Sequence, residues 1–145
     1  MLEHYLCPQH REWLTANPEA ALACWTQSIE TGLRYYRARA LPQARSFSGC
    51  GLETAEILLL HNTGGHRDAV GRYMASLLLF AGICRDSGYA SLLRELSNRG
   101  RQILRRSWGK PVIPPYLFHA NWQLRQITEN PAWIDQLLTR IPAYN

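Results

Sequence analysis

Lysine is almost missing from this 145-residue chain: Lys110 stands alone, so the net charge of +5 is carried by arginine. Such a bias matches the codon usage of a GC-rich genome. A basic excess also raises nucleic acid, an anionic membrane or an acidic protein as partners. Long apolar runs are missing too. The longest, Met74 to Cys84, is too short to span a bilayer and suits a buried helix. The opening MLEHYLCPQH has neither a basic leader nor an apolar h-region, so no signal peptide is expected. Cysteines are few: Cys7, Cys24, Cys50 and Cys84 are scattered one to a segment. That density argues against a secreted disulfide scaffold and leads us to expect reduced thiols in a cytoplasmic protein.

Catalytic signatures are also lacking. There is no G-x-S-x-G, no phosphate-cradling glycine loop and no H-E-x-x-H, and no nucleophile–base–orienter set assembles around His61 or His66. Gly49-Cys50-Gly51 surrounds a thiol, but within a helical pattern where small residues and a buried cysteine serve packing. The expectation is a protein without catalytic chemistry or a cofactor.

What the chain does have is helical periodicity. Hydrophobic residues make up 46% and charged residues 19%, with five Trp and seven Tyr, enough to bury a core and to argue against disorder. From Cys24 to Leu60 two helices follow one another. The first carries Leu22, Trp25, Ile29, Gly32, Leu33, Tyr36 and Ala40 on one face; the second carries Ala44, Phe47, Gly51, Leu52, Ala55, Leu58 and Leu59. Pro42 fits the first turn of the second helix, so the pair must fold back as an antiparallel hairpin. Asn17-Pro18-Glu19 supplies a helix start, with Asn17 as cap. Gly64-Gly65 ends the hairpin with a left-handed exit.

The next helix, from about His66 to Cys84, is apolar nearly all round and is therefore expected at the centre. After the turn at Asp86-Ser87-Gly88, a helix from Tyr89 to Ser107 carries Leu92, Leu93, Leu96, Gly100, Ile103 and Leu104. WGKPVIPP, with three prolines, must be a non-helical connector, and Trp108, Val112 and Ile113 are expected to pack it on the body. Helices resume at Tyr116 and after Asn130-Pro131. No alternating strand pattern appears. The chain reads as one all-α domain of about six to seven helices. It divides into an N-terminal segment (1–17), two helical hairpins (18–107), a Pro-rich connector (108–115) and a C-terminal helical pair (116–145).

Three groups of residues suggest sites. Arg94, Arg99, Arg101, Arg105 and Arg106 precede Lys110 on the fifth helix, with Arg94, Arg101 and Arg105 close to one face and Arg99 and Arg106 on another flank, a basic patch that nucleic acid would use. With no reader motif in the chain, the preferred reading is a solvated outer face whose last arginines complement the helix dipole. His4, Cys7 and His10 have a zinc-like H-x-x-C-x-x-H spacing. A zinc site needs three or four converging ligands, and without a second paired motif a packed N-terminal segment is preferred. Trp108, Trp122, Trp133 and Tyr144 concentrate aromatic surface near the C-terminus, suited either to capping the stack or to a homodimer contact.

Laid over one another, the two hairpins resemble tetratricopeptide repeats. Gly32, Tyr35 and Ala44 match the family's glycine, tyrosine and second-helix alanine; Ala81 and Gly88 take the glycine and turn-glycine positions of the second unit. Arg39 replaces the first unit's turn glycine, Ser48 and Gly51 replace an aromatic and an alanine, and the units are spaced more widely than the family's period of about 34 residues. The resemblance covers roughly residues 23–106. It implies stacked hairpins with an inner groove formed by Thr26, Ile29, Leu33, Tyr36 and Arg37, then Ala75, Leu78 and Arg85. Such a groove would hold a protein or peptide with acidic and apolar side chains. The implied role is that of an adaptor or chaperone, such as the chaperones of bacterial secretion systems. An irregular helical bundle is the alternative architecture.

Overall fold

The computed structural model describes residues 3–139. Within them the chain forms seven helices and no strands. They are α1 (Pro8–Ala16), α2 (Pro18–Arg37), α3 (Leu41–Leu60), α4 (His66–Asp86), α5 (Leu92–Ser107), α6 (Pro115–Glu129) and α7 (Trp133–Leu138). Four of these begin with a proline in the first turn, where the missing N–H leaves nothing unpaired. Gly64, Gly65 and Gly88 all have positive φ and stop helices where the sequence predicts. Arg39, in the α2–α3 turn, is also left-handed (φ 60°), a conformation that a side chain adopts at some cost.

The helices pack as a bundle around α3 and α4. Helix α4 touches α2, α3, α5, α6 and α7, and α3 touches α1, α2, α4 and α5. The sequence predicts the central place of α4 from its all-round apolar surface. It predicts an amphipathic α3, whereas every residue from Gly51 to Leu59 is buried. The bundle encloses that stretch because α1 and the N-terminal segment cover the side of α3 left open by α2 and α4. Gly49 makes this covering possible: the ring of Tyr5 lies where a Cβ would stand. Gly32 serves α2 and α3 in the same way, since a Cβ there would come within 3.1 Å of the Ser48 backbone nitrogen.

Some local expectations are revised. Asn17 does not cap α2 with its side chain; its Nδ2 donates to the Trp13 carbonyl and closes α1 instead (2.7 Å). Helix α5 starts at Leu92 and not at Tyr89, whose N–H closes the preceding turn on Cys84 O (2.8 Å). Phe47, expected on the buried face of α3, is 39% exposed and stacks on Tyr35. Val112 does not pack on the body: it is 77% exposed.

Candidate functional site

Tyr36 and Arg85 come together, but on a carboxylate of their own chain. The Tyr36 hydroxyl donates to Asp86 Oδ2 (2.6 Å), Arg39 Nη1 donates to the same oxygen (3.0 Å), and Arg85 Nε donates to Asp86 Oδ1 (3.0 Å). Arg85 also reaches Asp135 Oδ1 (2.7 Å) and the Pro131 carbonyl (3.1 Å), so the network ties α2 and α4 to α7. Burial works to raise the Asp86 pKa, yet the donors from Tyr36, Arg85 and Arg39 outweigh it and hold the carboxyl below its usual range. Burial and the same hydrogen bond push Tyr36 up to about 12. The left-handed Arg39 is thus held by an ion pair and lies over the Tyr36 ring. Ile29, Leu33 and Leu78 are core residues, Ala75 is half-buried, and Thr26 and Arg37 are exposed. Leu33 therefore has almost no surface to offer a partner, and Tyr36 and Arg85 spend their polar groups internally.

His4, Cys7 and His10 do not converge. His4 Nδ1 meets Glu53 Oε1 (3.2 Å), Cys7 Sγ caps α1 by accepting from the His10 N–H (3.4 Å), and His10 stacks on Trp13. Among the described residues no three His, Cys, Asp or Glu side chains gather as metal ligands.

The arginines of α5 divide between two sides. Arg99 turns inward and grips the buried Glu56 of α3 with two hydrogen bonds of 2.7 Å, while Arg106 shares its flank on the outside with His4 and Gln102. Arg101 and Arg105 face the other way. With Lys110 they rim a cavity of about 340 Å³ between α5, the connector and α6, whose apolar lining includes Leu104, Trp108, Ile113, Leu117 and Phe118. Leu104 and Leu117 form its buried floor; Ile113 and Phe118 are 39% and 65% exposed at its mouth. Among the described residues no carboxylate lines it. Arg94 is exposed and lines neither cavity.

Residues 108–114 shape this cleft. Pro111 and Pro114 interrupt the helix here and Pro115 opens α6, so the chain turns between α5 and α6. Trp108 Nε1 donates to the Val112 carbonyl (2.9 Å), closing the loop on itself. Below the cleft, Ser97 Oγ donates to the Leu124 carbonyl (2.7 Å) and Gly100 lets Leu124 close the α5–α6 contact. Comparison with known proteins does not add an assignment. No family model, curated protein or solved structure matches the chain. The cleft is therefore read from its own chemistry.

Trp108, which lines the cleft, is backed by His66, the first residue of α4. Its ring packs on Trp108 (centroids 4.8 Å apart) and contacts Tyr116 Oη through Nδ1 (2.6 Å) and Ser107 Oγ through Nε2 (2.9 Å). Ser107 places its hydroxyl proton on the Leu104 carbonyl (2.8 Å). Nε2 must then be the donor, and Nδ1 accepts from Tyr116, so one neutral tautomer satisfies all four groups. Burial and then Lys110 lower the His66 pKa, and the positive end of α4 acts in the same sense. The sign follows: a histidine whose folded pKa is depressed lends stability above its unfolded value of about 6.5 and loses it as pH falls through that range. Melting temperature is therefore expected to drop from pH 7 to pH 5 more steeply in the wild type than in His66→Gln. Parallel profiles would exclude this role for the ring.

Proposed function

We propose that this protein is a non-catalytic interaction module, an adaptor or chaperone in kind, that docks another protein in the cleft between α5, the connector and α6. One observation carries the reading. Ile113 and Phe118 hold apolar surface in water beside a concave, partly buried floor, and that combination marks interaction sites on protein surfaces. Val112 and Trp122, 77% and 37% exposed, add to the apolar surface contributed by the connector and α6. The tetratricopeptide resemblance leads to the same kind of role through a different surface, that of Tyr36 and Arg85. The internal engagement of those two side chains favours the cleft.

A homodimer through the C-terminal aromatics has less support. Trp122 and Trp133 already pair edge to face at 4.6 Å, Trp108 is held by His66, and Tyr144 lies outside the described residues. Reduced thiols fit a cytoplasmic setting: burial raises the pKa of Cys50 and Cys84 and leaves both poorly nucleophilic. Among the described residues no helix is long and apolar enough to cross a membrane.

In-cell photocrosslinking tests the reading. A photoreactive residue at Phe118 is expected to capture one defined protein, identified by mass spectrometry. The same group at Gln102, on the opposite flank of α5, should not. Equal capture at both positions, or none at Phe118, would count against a docking site here.

A further inference from the structure

We infer that the occupant of the cleft is a short protein segment in which a bulky apolar side chain is flanked by carboxylates; this rests on the module reading above. The apolar part follows from the lining. Leu104 and Leu117 close the bottom, Ile113 and Phe118 stand at the mouth, and about 340 Å³ is near the small end of ligand pockets. A single large side chain with its backbone fits that space; a whole helix does not.

The charge follows from what surrounds it. Arg101 and Arg105 are four residues apart on α5, so they project from one face about 6 Å apart. Lys110 approaches from the connector. Among the described residues Arg101 donates only to the neutral Asn98 side chain (3.1 Å), and Lys110 lies over the Trp108 ring at 5.0 Å. Among the described residues, neither these two nor Arg105 forms an ion pair. Three cations around an apolar mouth repel one another, and carboxylates from a partner relieve that repulsion while accepting charge-assisted hydrogen bonds.

Other occupants fit less well. A single-stranded nucleic acid stacks successive bases on a series of open rings; at this mouth Phe118 is exposed, but the Trp108 ring has Lys110 over it and His66 packed against it. The inward grip of Arg99 on Glu56 removes it from any phosphate track. A second copy of this chain brings a net charge of +5 to a basic site. A bilayer is flat, whereas the apolar floor here is recessed.

Fluorescence anisotropy distinguishes these cases. Labelled peptides would carry a Phe anchor flanked by Glu, the same anchor flanked by Gln, or Glu flanking Ala. A single-stranded oligonucleotide and vesicles with anionic lipid complete the set. The Glu–Phe peptide should bind about tenfold more tightly than either control peptide, and lose that advantage against Arg101→Glu/Arg105→Glu. Phe118→Ser should weaken it without shifting the thermal melt, since the side chain is 65% exposed. Equal binding of the Glu–Phe and Gln–Phe peptides would overturn the acidic specificity and leave the docking module standing. Preference for the oligonucleotide or the vesicles would overturn both. If no peptide binds, this inference is wrong, and the outcome of crosslinking at Phe118 separately decides the module.

Discussion

Arg99→Ala is expected to lower the free energy of unfolding by about 3 kcal/mol, the lower end of the range for breaking a buried ion pair. Glu56 is 3% exposed and both of its carboxylate oxygens accept from Arg99 at 2.7 Å. Removing the guanidinium leaves a charge enclosed by α3, α4 and α5. The buried Tyr73 hydroxyl, which has no hydrogen-bond partner among the described residues, lies near enough for Glu56 to help burial raise its pKa. The Arg99 side chain retains 30% exposure, which is why the lower end applies. Chemical denaturation of Arg99→Ala, Glu56→Leu and the double variant separates the pair from its parts. The double variant should recover much of the loss, because an apolar replacement avoids the cost of desolvating both charges. A loss below about 1 kcal/mol for Arg99→Ala would mean that the pair is worth no more than a surface one. The result also bears on function, since any binding defect of an Arg99 variant would have to be corrected for lost stability before it spoke for a nucleic-acid face.

The second large effect is expected at Glu53. Its carboxylate is 4% exposed and accepts from the N–H groups of Tyr5 (2.8 Å) and Leu6 (2.5 Å), from Arg11 Nη2 (2.9 Å), and is met by His4 Nδ1 (3.2 Å). Glu53→Ala strips the acceptor from two backbone donors and from a guanidinium, at a cost of about 3 kcal/mol. Because these bonds hold the segment ahead of α1, the loss should be local as well as global. Hydrogen exchange at the Tyr5 and Leu6 amides is expected to accelerate toward the rate of exposed backbone while α5 and α6 keep their protection. Glu53→Gln, which keeps one carbonyl acceptor, should fall between. Unchanged exchange at Tyr5 and Leu6 in Glu53→Ala would show that the packing of Tyr5 against Gly49, and not the carboxylate, holds the segment.

Both carboxylates sit where the sequence gives little warning. In LETAEILLL, Glu53 and Glu56 look like the polar positions of an amphipathic helix. The signal available was that the residues on every side of them are apolar or small, so two acids were heading into a covered stretch. Which cations would meet them was not legible: Arg11 lies 42 residues away and Arg99 lies 43 away from its partner. Comparable separations hold the support behind Trp108, where His66 reaches Ser107 across 41 residues and Tyr116 across 50. The arginine run on α5 was visible as a run. Its division into two sides follows from helical spacing, with Arg101 and Arg105 on one face and Arg99 and Arg106 on another flank; only packing showed that Arg99 turns inward to Glu56 of α3.

By itself the sequence determined the helices and the places where they stop. Those depend on neighbours within a few residues: Pro18, Pro42 and Pro115 in first turns, positive-φ glycines at 64, 65 and 88, and prolines at 111 and 114 that no helix interior tolerates. The tertiary structure decided which polar groups were to be enclosed and which apolar ones left in water. It buried Glu53 and Glu56, joined Tyr36 to Asp86, and left Ile113 and Phe118 at the mouth of a basic cleft. Periodicity assigns a residue to a side of its own helix, but the energy of a charge or an apolar side chain depends on what the rest of the chain brings against that side.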